Sequence, residues 1–423
     1  MRKFITCALA GTAFALSGAT AAAETEMSAV LKTYADIAHA GYQDSMETAI
    51  RLQTAVKALV SAPSAETLAA ARTAWLTARI PYQQTEVYRF GNPIVDAWEG
   101  RVNAWPLDEG LIDYVDAGKY GTESGENRFY TANIIANPVL KVGDRTIDST
   151  HITKTILAGE LHEAGGVEAN VATGYHAIEF LLWGQDLNGT GPGAGNRPHT
   201  DFDASNCSGG NCGRRAAYLT AATDLLLDDL LEMVEAWSEG GAARDAVVSA
   251  GPNGLANIVT GMGSLSYGEL AGERMKLGLM LQDPEEEHDC FSDNTHNSHF
   301  YNALGIRNVY LGQYTRVDGR VVRGPSLADI VREKAPDVHA SMTDHLDATM
   351  AAMSEIARAA DAGEAYDQMI AGGNAEGSAR VQAAIDALTA QTRTIERVVG
   401  ALGLSAIGFE GSDSLDNPGA VFK

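Results

Sequence analysis

Several well-known catalytic and nucleotide-binding motifs are missing from this sequence. There is no HExxH zinc-protease motif, no phosphate-binding Walker loop and no glycine fingerprint for dinucleotides. The acidic run around residue 287 lacks the Asp-x-Asp-x-Asp-Gly order of an EF-hand calcium loop. The segment GMGSLSYG contains no nucleophile elbow, and no cysteine has the setting of a catalytic thiol. These absences exclude the protein classes that depend on those motifs.

Positive charge and long apolar segments are also scarce. The chain has 31 lysines and arginines against 55 aspartates and glutamates, which gives a formal net charge of -24. Such a surface repels nucleic acids and anionic lipids, so we exclude both as partners, and its summed field attracts cations. After residue 23, no segment has the length and apolar purity of a transmembrane helix. We therefore expect no transmembrane segment in the mature chain.

The amino terminus has the pattern of a secretory signal peptide. MRK is followed by the apolar run FITCALAGTAFALSG and then by the small residues ATAAAE. This order predicts a signal peptide over residues 1–23, with cleavage after Ala23. A membrane anchor is the alternative, but the apolar run is too short to span a bilayer comfortably. The mature protein is accordingly expected in the periplasm, either free or associated with the cell envelope.

Cysteine is rare: the chain has four, and three remain after the predicted cleavage. Cys207 and Cys212 lie in a loop rich in glycine, asparagine and serine, where an oxidising compartment permits a small disulfide. A metal-binding pair is the less favoured alternative, because no second pair completes a tetrahedral thiolate site. The odd count leaves one thiol over, for which Cys290 is the candidate.

Amphipathic, alanine-rich segments dominate the rest of the chain and predict helices. Strands and helices do not alternate, and Asp318-Gly319 between two β-prone runs predicts one small hairpin. The sequence therefore predicts an all-α fold of two helical-bundle domains, residues 24–200 and 201–423, with long ordered loops. The predicted helices are 26–60, 65–90 with a kink at Pro81, one beginning near 153, 167–183, 214–239, 255–281, 337–360 and 378–402; residues 90–115 are predicted to form an ordered loop.

The segment GYHAIEFLLWGQD, residues 174–186, carries two ionisable groups on a helix that looks apolar all round. His176 and Glu179 are three residues apart and therefore share one helix face. A buried carboxylate is costly unless it is paired, hydrogen-bonded or bound to a metal, and both side chains can reach one ion. Metal sites in helical bundles use the reverse order, Glu-x-x-His, and the single copy here favours one metal ion. A buried hydrogen-bonded pair without metal is the alternative.

Further candidate residues lie elsewhere in the chain. Glu86 is the candidate third oxygen ligand, and Tyr82, on the same helix face, could donate a hydrogen bond to it. In the second half, Arg274 could pair with a carboxylate of the site or clamp an anion, and Glu273 lies beside it. The acidic segment 285–299 supplies Asp293 and His296, and we expect it to be a structured loop that faces the first domain. Solvated charged surfaces are the alternative for each of these segments.

The motifs together resemble the imelysin-like proteins, in particular their iron-regulated protein A branch. The resemblance rests on GxHxxE, here Gly174, His176 and Glu179. PYQQTEVYRFGNP, NAWPLDEGLIDYV, RPHTDF and EEHDCFSDNTHNS support it over nearly the whole mature chain. The resemblance implies two helical bundles with a site near their interface, an envelope location and expression linked to iron. It also implies that the histidine and glutamate of the motif are the functional pair.

We therefore hypothesise a periplasmic protein that captures iron, or an iron complex, for an envelope component of iron uptake. The predicted metal ligands are His176, Glu179 and Glu86, and zinc is the alternative metal because mixed nitrogen and oxygen ligands suit both. No catalytic residue is assigned. The alternatives are a zinc metallopeptidase of the imelysin type and a metal-free module that binds peptide or glycan. The predicted binding residues around the metal are Tyr82, Arg274, Glu273, Asp293 and His296.

Overall fold

The chain folds into helices connected by long ordered loops, with two short β-hairpins, so the predicted all-α class is confirmed. A computed structural model describes residues 13–142, 145–405 and 407–422. The main helices are α1 (Ala13–Ser61), α2 (Ala65–Gln83), α3 (Pro93–Asn103), α4 (Lys154–Ile156), α5 (Gly174–Trp183), α6 (Cys212–Ala236), α7 (Ala242–Val248), α8 (Pro252–Ser264), α9 (Leu277–Leu281), α10 (Thr295–Leu311), α11 (Leu327–Lys334), α12 (Pro336–Asp361), α13 (Tyr366–Ile370), α14 (Ala375–Leu402) and α15 (Asp413–Asp416).

Shorter elements complete the description. Two π-helical segments are Leu157–Leu161 and Leu265–Lys276, and the second continues α8 directly into α9. The strands β1 (Val139–Val142) and β2 (Arg145–Asp148) form one antiparallel hairpin, and β3 (Gln313–Thr315) and β4 (Val321–Arg323) form another. The 3-10 turns are Glu86–Tyr88, Glu109–Leu111, Ala164–Gly166, His199–Asp201 and Pro284–Glu286.

Two groups of helices pack around a continuous apolar core. In the first group α1 packs against α2 and α6, and α5 packs against α2, α3 and α6. In the second group α12 packs against α10, α11 and α14, and α14 also contacts the π-helical segment 265–276. Helix α10 contacts α2 as well, so it connects the two groups. Helix α6 follows the predicted domain boundary at residue 200 in the chain, but it packs against α1 and α5, which precede that boundary. The domain boundary itself stays a prediction.

The glycine at the start of α5 sets the position of the whole helix. Gly174 has a positive φ of 77°, and a Cβ atom there would lie 2.4 Å from the carbonyl oxygen of Val102 in α3. Only glycine fits such an approach without displacing the backbone. The indole nitrogen of Trp75 in α2 donates to the carbonyl oxygen of Tyr175, 3.0 Å away. Every residue of α5 is buried, and the helix packs against α2, α3 and α6, so its two ionisable side chains lie in the protein interior.

Several local expectations can be compared with the structure. The hairpin around Asp318-Gly319 is confirmed, and the disulfide between Cys207 and Cys212 is present, with a free thiol at Cys290. The prediction of a loop over residues 90–115 is wrong in part, because α3 lies within it. Asn92 caps that helix and Pro93 takes its first position, where proline is well tolerated. The helix predicted over 65–90 ends at Gln83, two residues after Pro81.

Two further expectations concern the amino terminus and the acidic segment. Residues 1–12 of the predicted signal peptide lie outside the described residues, and residues 13–23 belong to α1. In the part of the chain that the structure describes, no helix combines the length and apolar character needed to cross a membrane. The acidic segment is a structured loop only up to Asn294, since α10 begins at Thr295.

Candidate metal site

The motif residues of α5 contact each other as a buried pair. His176 Nδ1 lies 3.1 Å from Glu179 Oε2, and both side chains are buried. The other carboxylate oxygen, Oε1, accepts hydrogen bonds from the backbone nitrogen of Ser292 at 3.0 Å and from its hydroxyl at 2.6 Å. Glu179 therefore connects α5 to the segment 287–292, which precedes α10.

That segment brings two more potential ligands to the pair. One donor atom each of His176, His288 and Asp289 lies within 4.8 Å of the others, which makes these three the group of described residues arranged to hold a metal ion. His288 Nδ1 is 3.3 Å from Asp289 Oδ1, and the imidazole rings of His176 and His288 meet edge to face with centroids 4.8 Å apart. We call His176, Glu179, His288 and Asp289 the histidine cluster.

Arg79 of α2 supplies the positive charge of the histidine cluster. Its guanidinium donates to Asp289 Oδ1 at 2.6 Å, and Asn294 and Ser298 donate to Asp289 Oδ2. Burial opposes ionisation of Asp289, but Arg79, His288 and His176 together outweigh it and hold the pKa of that carboxyl well below its usual range. Burial, and secondly the charge of Arg79, lowers the pKa of His176 to about 3, so its imidazole is neutral at neutral pH.

One nitrogen of His176 has no partner. Its Nε2 is buried and makes no hydrogen bond to any described residue. Burial also raises the pKa of Glu179 well above its usual value, which favours the neutral carboxyl group. When Glu179 is ionised, its Oε2 accepts a hydrogen bond from the Nδ1–H of His176, and Nε2 then presents a lone pair. This is the arrangement in which metal-binding histidines are held by a carboxylate.

Glu86 belongs to a neighbouring set of charges. Its Oε2 accepts from Arg274 at 2.8 Å, and Arg274 also donates to Glu269 at 2.8 Å. Asn103 connects this set to the histidine cluster, because its Nδ2 donates to Glu86 at 3.3 Å and lies 3.5 Å from His288 Nε2. The structure thus places Glu86 one side chain away from the cluster, paired with an arginine.

The other predicted binding residues differ in how far their side chains are buried and in what they contact. The Tyr82 hydroxyl is buried without a hydrogen-bond partner among the described residues, and its ring packs on Tyr175 with centroids 4.7 Å apart. Glu273 is half-buried on the π-helical segment. Asp293 has a positive φ of 56°, and His296 Nε2 lies 3.0 Å from the amide of Asn297. The roles proposed for these four residues stay predictions.

Sequence reasoning did not single out Arg79, His288 and Asp289 as site residues. From the acidic segment, the sequence analysis predicts Asp293 and His296 as binding residues instead. A signal was present in the sequence: His288 and Asp289 directly precede Cys290 and Phe291, and apolar neighbours indicate burial. A buried His-Asp pair is a stronger ligand candidate than acidic residues in a solvated turn.

Comparison with known proteins settles the family. The model of the imelysin family matches residues 38–395, most of the chain. The chain belongs to the imelysin family. Among curated relatives, this imelysin is similar to the iron-regulated protein A of Synechococcus elongatus (strain ATCC 33912 / PCC 7942 / FACHB-805). The two are 26% identical over 343 residues, which cover 78% of this chain and 75% of that protein.

Two solved structures share the fold. One is the crystal structure of a protein assigned as an iron-regulated protein A precursor from Parabacteroides distasonis ATCC 8503. It has a TM-score of 0.63 and 19% identity, over 90% of this chain and 95% of that one. The other is an imelysin-like protein from Psychrobacter arcticum 273-4, with a TM-score of 0.59 and 18% identity, over 91% and 98% of the two chains. The imelysin fold therefore extends over nearly the whole described chain.

Proposed function

We propose that this imelysin binds iron at the histidine cluster, as a cation or a small complex, and delivers it for uptake. His176 and His288 would supply nitrogen ligands and Asp289 an oxygen ligand, while Glu179 would orient His176. Arg79 and the Glu86–Arg274 pair would balance the charge around the ion. Glu86 stays the candidate for an additional oxygen ligand, which it could become by exchanging its contact with Arg274.

The unpartnered Nε2 of His176 is the observation that carries this proposal. A buried polar atom without a hydrogen bond costs roughly 1–3 kcal/mol, so folded proteins rarely leave one without a reason. A cation bound to Nε2 would satisfy the lone pair and would favour the state with the proton on Nδ1. The convergence of His288 and Asp289 on the same place supplies further donor atoms.

The donor atoms suit several transition metals. Two imidazoles and a carboxylate bind iron, manganese and zinc, so ligand type does not select among them. Iron is favoured here because the curated relative carries the name iron-regulated protein A. A zinc peptidase is less well supported, since that chemistry needs an open position for water and access for a polypeptide. The four side chains of the histidine cluster are all buried.

The cellular part of the proposal rests on the amino terminus. Residues 1–23 would direct export, and the mature chain would work in the periplasm and meet an envelope component of iron uptake. Sequencing the amino terminus of the exported protein tests this part. Cleavage after Ala23 supports it, and an intact Met1 terminus in a cytosolic fraction contradicts it.

Elemental analysis tests the metal site itself. The mature protein would be purified, incubated with ferrous or ferric salt and desalted, beside His176→Ala and the matched control His151→Ala, which changes an exposed histidine. We expect about one iron per chain in the parent and control and none in His176→Ala. Zinc retained in place of iron would favour the peptidase, and the absence of any retained metal would overturn the proposal.

A further inference from the structure

A second group of buried carboxylates lies next to the histidine cluster. Five carboxylates line one recess together with Cys290 and Phe291: Glu109, Glu287 and Asp367 are buried, Asp186 is half-buried and Glu285 is exposed. The segment 287–292 takes part in both places, because Glu287 and Cys290 line the recess while His288 and Asp289 belong to the histidine cluster. Glu109 follows α3 of the first group, and Asp367 belongs to α13, which packs against α14 of the second group, so the recess lies between the two groups of helices.

The carboxylates of the recess have oxygen atoms without partners. Glu109, Glu287 and Asp367 are only 3%, 2% and 2% exposed. Glu109 Oε1, Glu287 Oε2 and both oxygens of Asp367 make no hydrogen bond to any described residue. Four buried acceptor atoms without donors on the walls of one recess form an unusually unfavourable arrangement for a protein interior.

The charges of the recess are also uncompensated. None of its five carboxylates forms an ion pair within the described part of the chain, in contrast to Asp289 with Arg79 and Glu86 with Arg274. Burial, and secondly the charges of Glu285 and Asp108, raise the pKa of Glu109 to about 9. Lys119 lines only the wider cleft of about 370 Å³ that shares walls with the recess, and its side chain is exposed.

The size of the recess limits what it can hold. Its cavity volume is about 10 Å³, which is enough for one water molecule or one cation. The donor atoms of its carboxylates do not form a group of three within 4.8 Å of one another. An ion bound there would therefore keep some of its own water molecules, as oxygen-bound divalent cations commonly do, and these would lie in the adjoining cleft that shares walls with the recess.

We propose that this recess is a second cation site, for a hard divalent cation of the calcium and magnesium class that keeps part of its hydration shell. Glu109, Glu287 and Asp367 supply the oxygen ligands. The site is separate from the proposed iron site in ligand type, because its charged ligands are carboxylates and it contains no imidazole. A bound ion satisfies the unpartnered oxygens and holds α13 to the segment 287–292.

Calorimetric titration with CaCl₂ alone tests this proposal in the full mature chain. Glu109→Gln and Asp367→Asn keep the shape of the side chains and remove the charge, and Glu126→Gln is a matched control at an exposed glutamate. We expect one calcium site with a Kd on the order of 10⁻⁴–10⁻³ M in the parent and the control. Each recess variant should bind at least tenfold more weakly.

Two further measurements make the outcome unambiguous. In calcium-free buffer the recess variants should melt no lower than the parent, since each replaces an unpaired buried carboxyl group, which is costly to ionise, with an amide of the same shape, and this separates lost binding from lost folding. His176→Ala should keep calcium binding, whereas the recess variants should keep iron, so failure of one site is distinguishable from failure of the other. No calcium binding by the parent at several millimolar, or unchanged binding by both recess variants, would overturn the proposal.

Discussion

Two buried charged clusters in this protein differ in how completely their polar atoms are paired. In the first, Asp113 accepts from Arg197 at 2.8 Å and from Arg215 at 2.5 and 2.9 Å. Asp201 accepts from Arg197 at 2.9 Å and from Ser208 at 2.8 Å. We call Asp113, Arg197, Asp201 and Arg215 the aspartate clamp. It joins the loop after α3 to the start of α6.

Among the buried side-chain polar atoms of the aspartate clamp, only the Nε of Arg197 lacks a hydrogen-bond partner. This nitrogen is a donor and cannot bind a cation. In the histidine cluster, the atom without a hydrogen-bond partner is the Nε2 of a neutral imidazole, which can act as an acceptor. The comparison suggests that buried charge in the clamp serves the fold. In the histidine cluster, burying polar groups has the same kind of free-energy cost, but one acceptor atom, the Nε2 of His176, stays available to a ligand.

The largest expected effect comes from breaking the clamp. Asp113→Ala leaves two buried guanidinium groups without their main partner, so it should lower the free energy of unfolding by about 3–5 kcal/mol. Urea denaturation followed by circular dichroism measures this change. Asp344→Ala, at an exposed aspartate, serves as the control and should stay within about 0.5 kcal/mol of the parent. If Asp113→Ala lowered the free energy of unfolding by less than about 1 kcal/mol, the clamp would not have the stabilising role assigned to it.

A smaller effect is expected from changing the orienting carboxylate of the histidine cluster. Glu179→Gln keeps the size of the side chain but cannot hold the proton of His176 Nδ1 in the same way. Iron affinity should fall about 10–100-fold, the usual effect of losing a partner of a metal-binding histidine. Competitive titration with a chelator measures the dissociation constant. Unchanged affinity with unchanged helicity would mean that Glu179 does not orient His176.

Acid should destabilise the protein through its buried neutral histidines, and His299 isolates this effect. Burial lowers the pKa of His299 to about 3, and neither ring nitrogen has a described partner. Between pH 6.5 and 3 the unfolded chain binds a proton at this residue and the folded chain does not, so the free energy of unfolding falls as pH falls. His299→Met should make that decline shallower by up to about 1.4 kcal/mol per pH unit.

Denaturant titrations of the parent and His299→Met at several pH values between 4 and 7 provide the measurement. The other buried histidines contribute equally to both proteins, so the difference between the two slopes reports on His299. Identical slopes would show that His299 is protonated in the folded state or is accessible to water.

The smallest effect is expected from a substitution at Glu86, and it tests whether Glu86 belongs to the metal ligands. Glu86→Gln removes a carboxylate that contacts Arg274 and lies one side chain from His288. Because Arg274 keeps its contact with Glu269, we expect iron affinity to fall less than tenfold, below about 1.4 kcal/mol. A larger loss in the same chelator titration would make Glu86 a ligand, as the sequence alone suggested.

The sequence was informative where a local pattern determined the structure. The burial of α5 followed from its apolar residues on all sides, and the need for partners of His176 and Glu179 followed from that burial. The hairpin at Asp318-Gly319 and most long helices also came from local patterns. The role of Gly174 required the structure, because its contact partner is Val102 in another helix.

The rest of the site could not be predicted because it depends on contacts between distant parts of the chain. Glu179 and Ser292 are 113 residues apart, and Arg79 and Asp289 are 210 residues apart. No periodicity brings such residues together. The apolar neighbours Cys290 and Phe291 indicate that His288 and Asp289 are buried, but they do not show what these side chains contact. Only the path of the segment 287–292 across α5 determines which of these side chains face His176.

Anomalous diffraction from iron-loaded crystals at the iron absorption edge tests the central claim most directly. The account predicts one strong peak within bonding distance of His176 Nε2, close to His288 and Asp289, and no such peak in crystals of His176→Ala. Full iron occupancy at another place, such as the carboxylate recess, with no peak at His176 would contradict it.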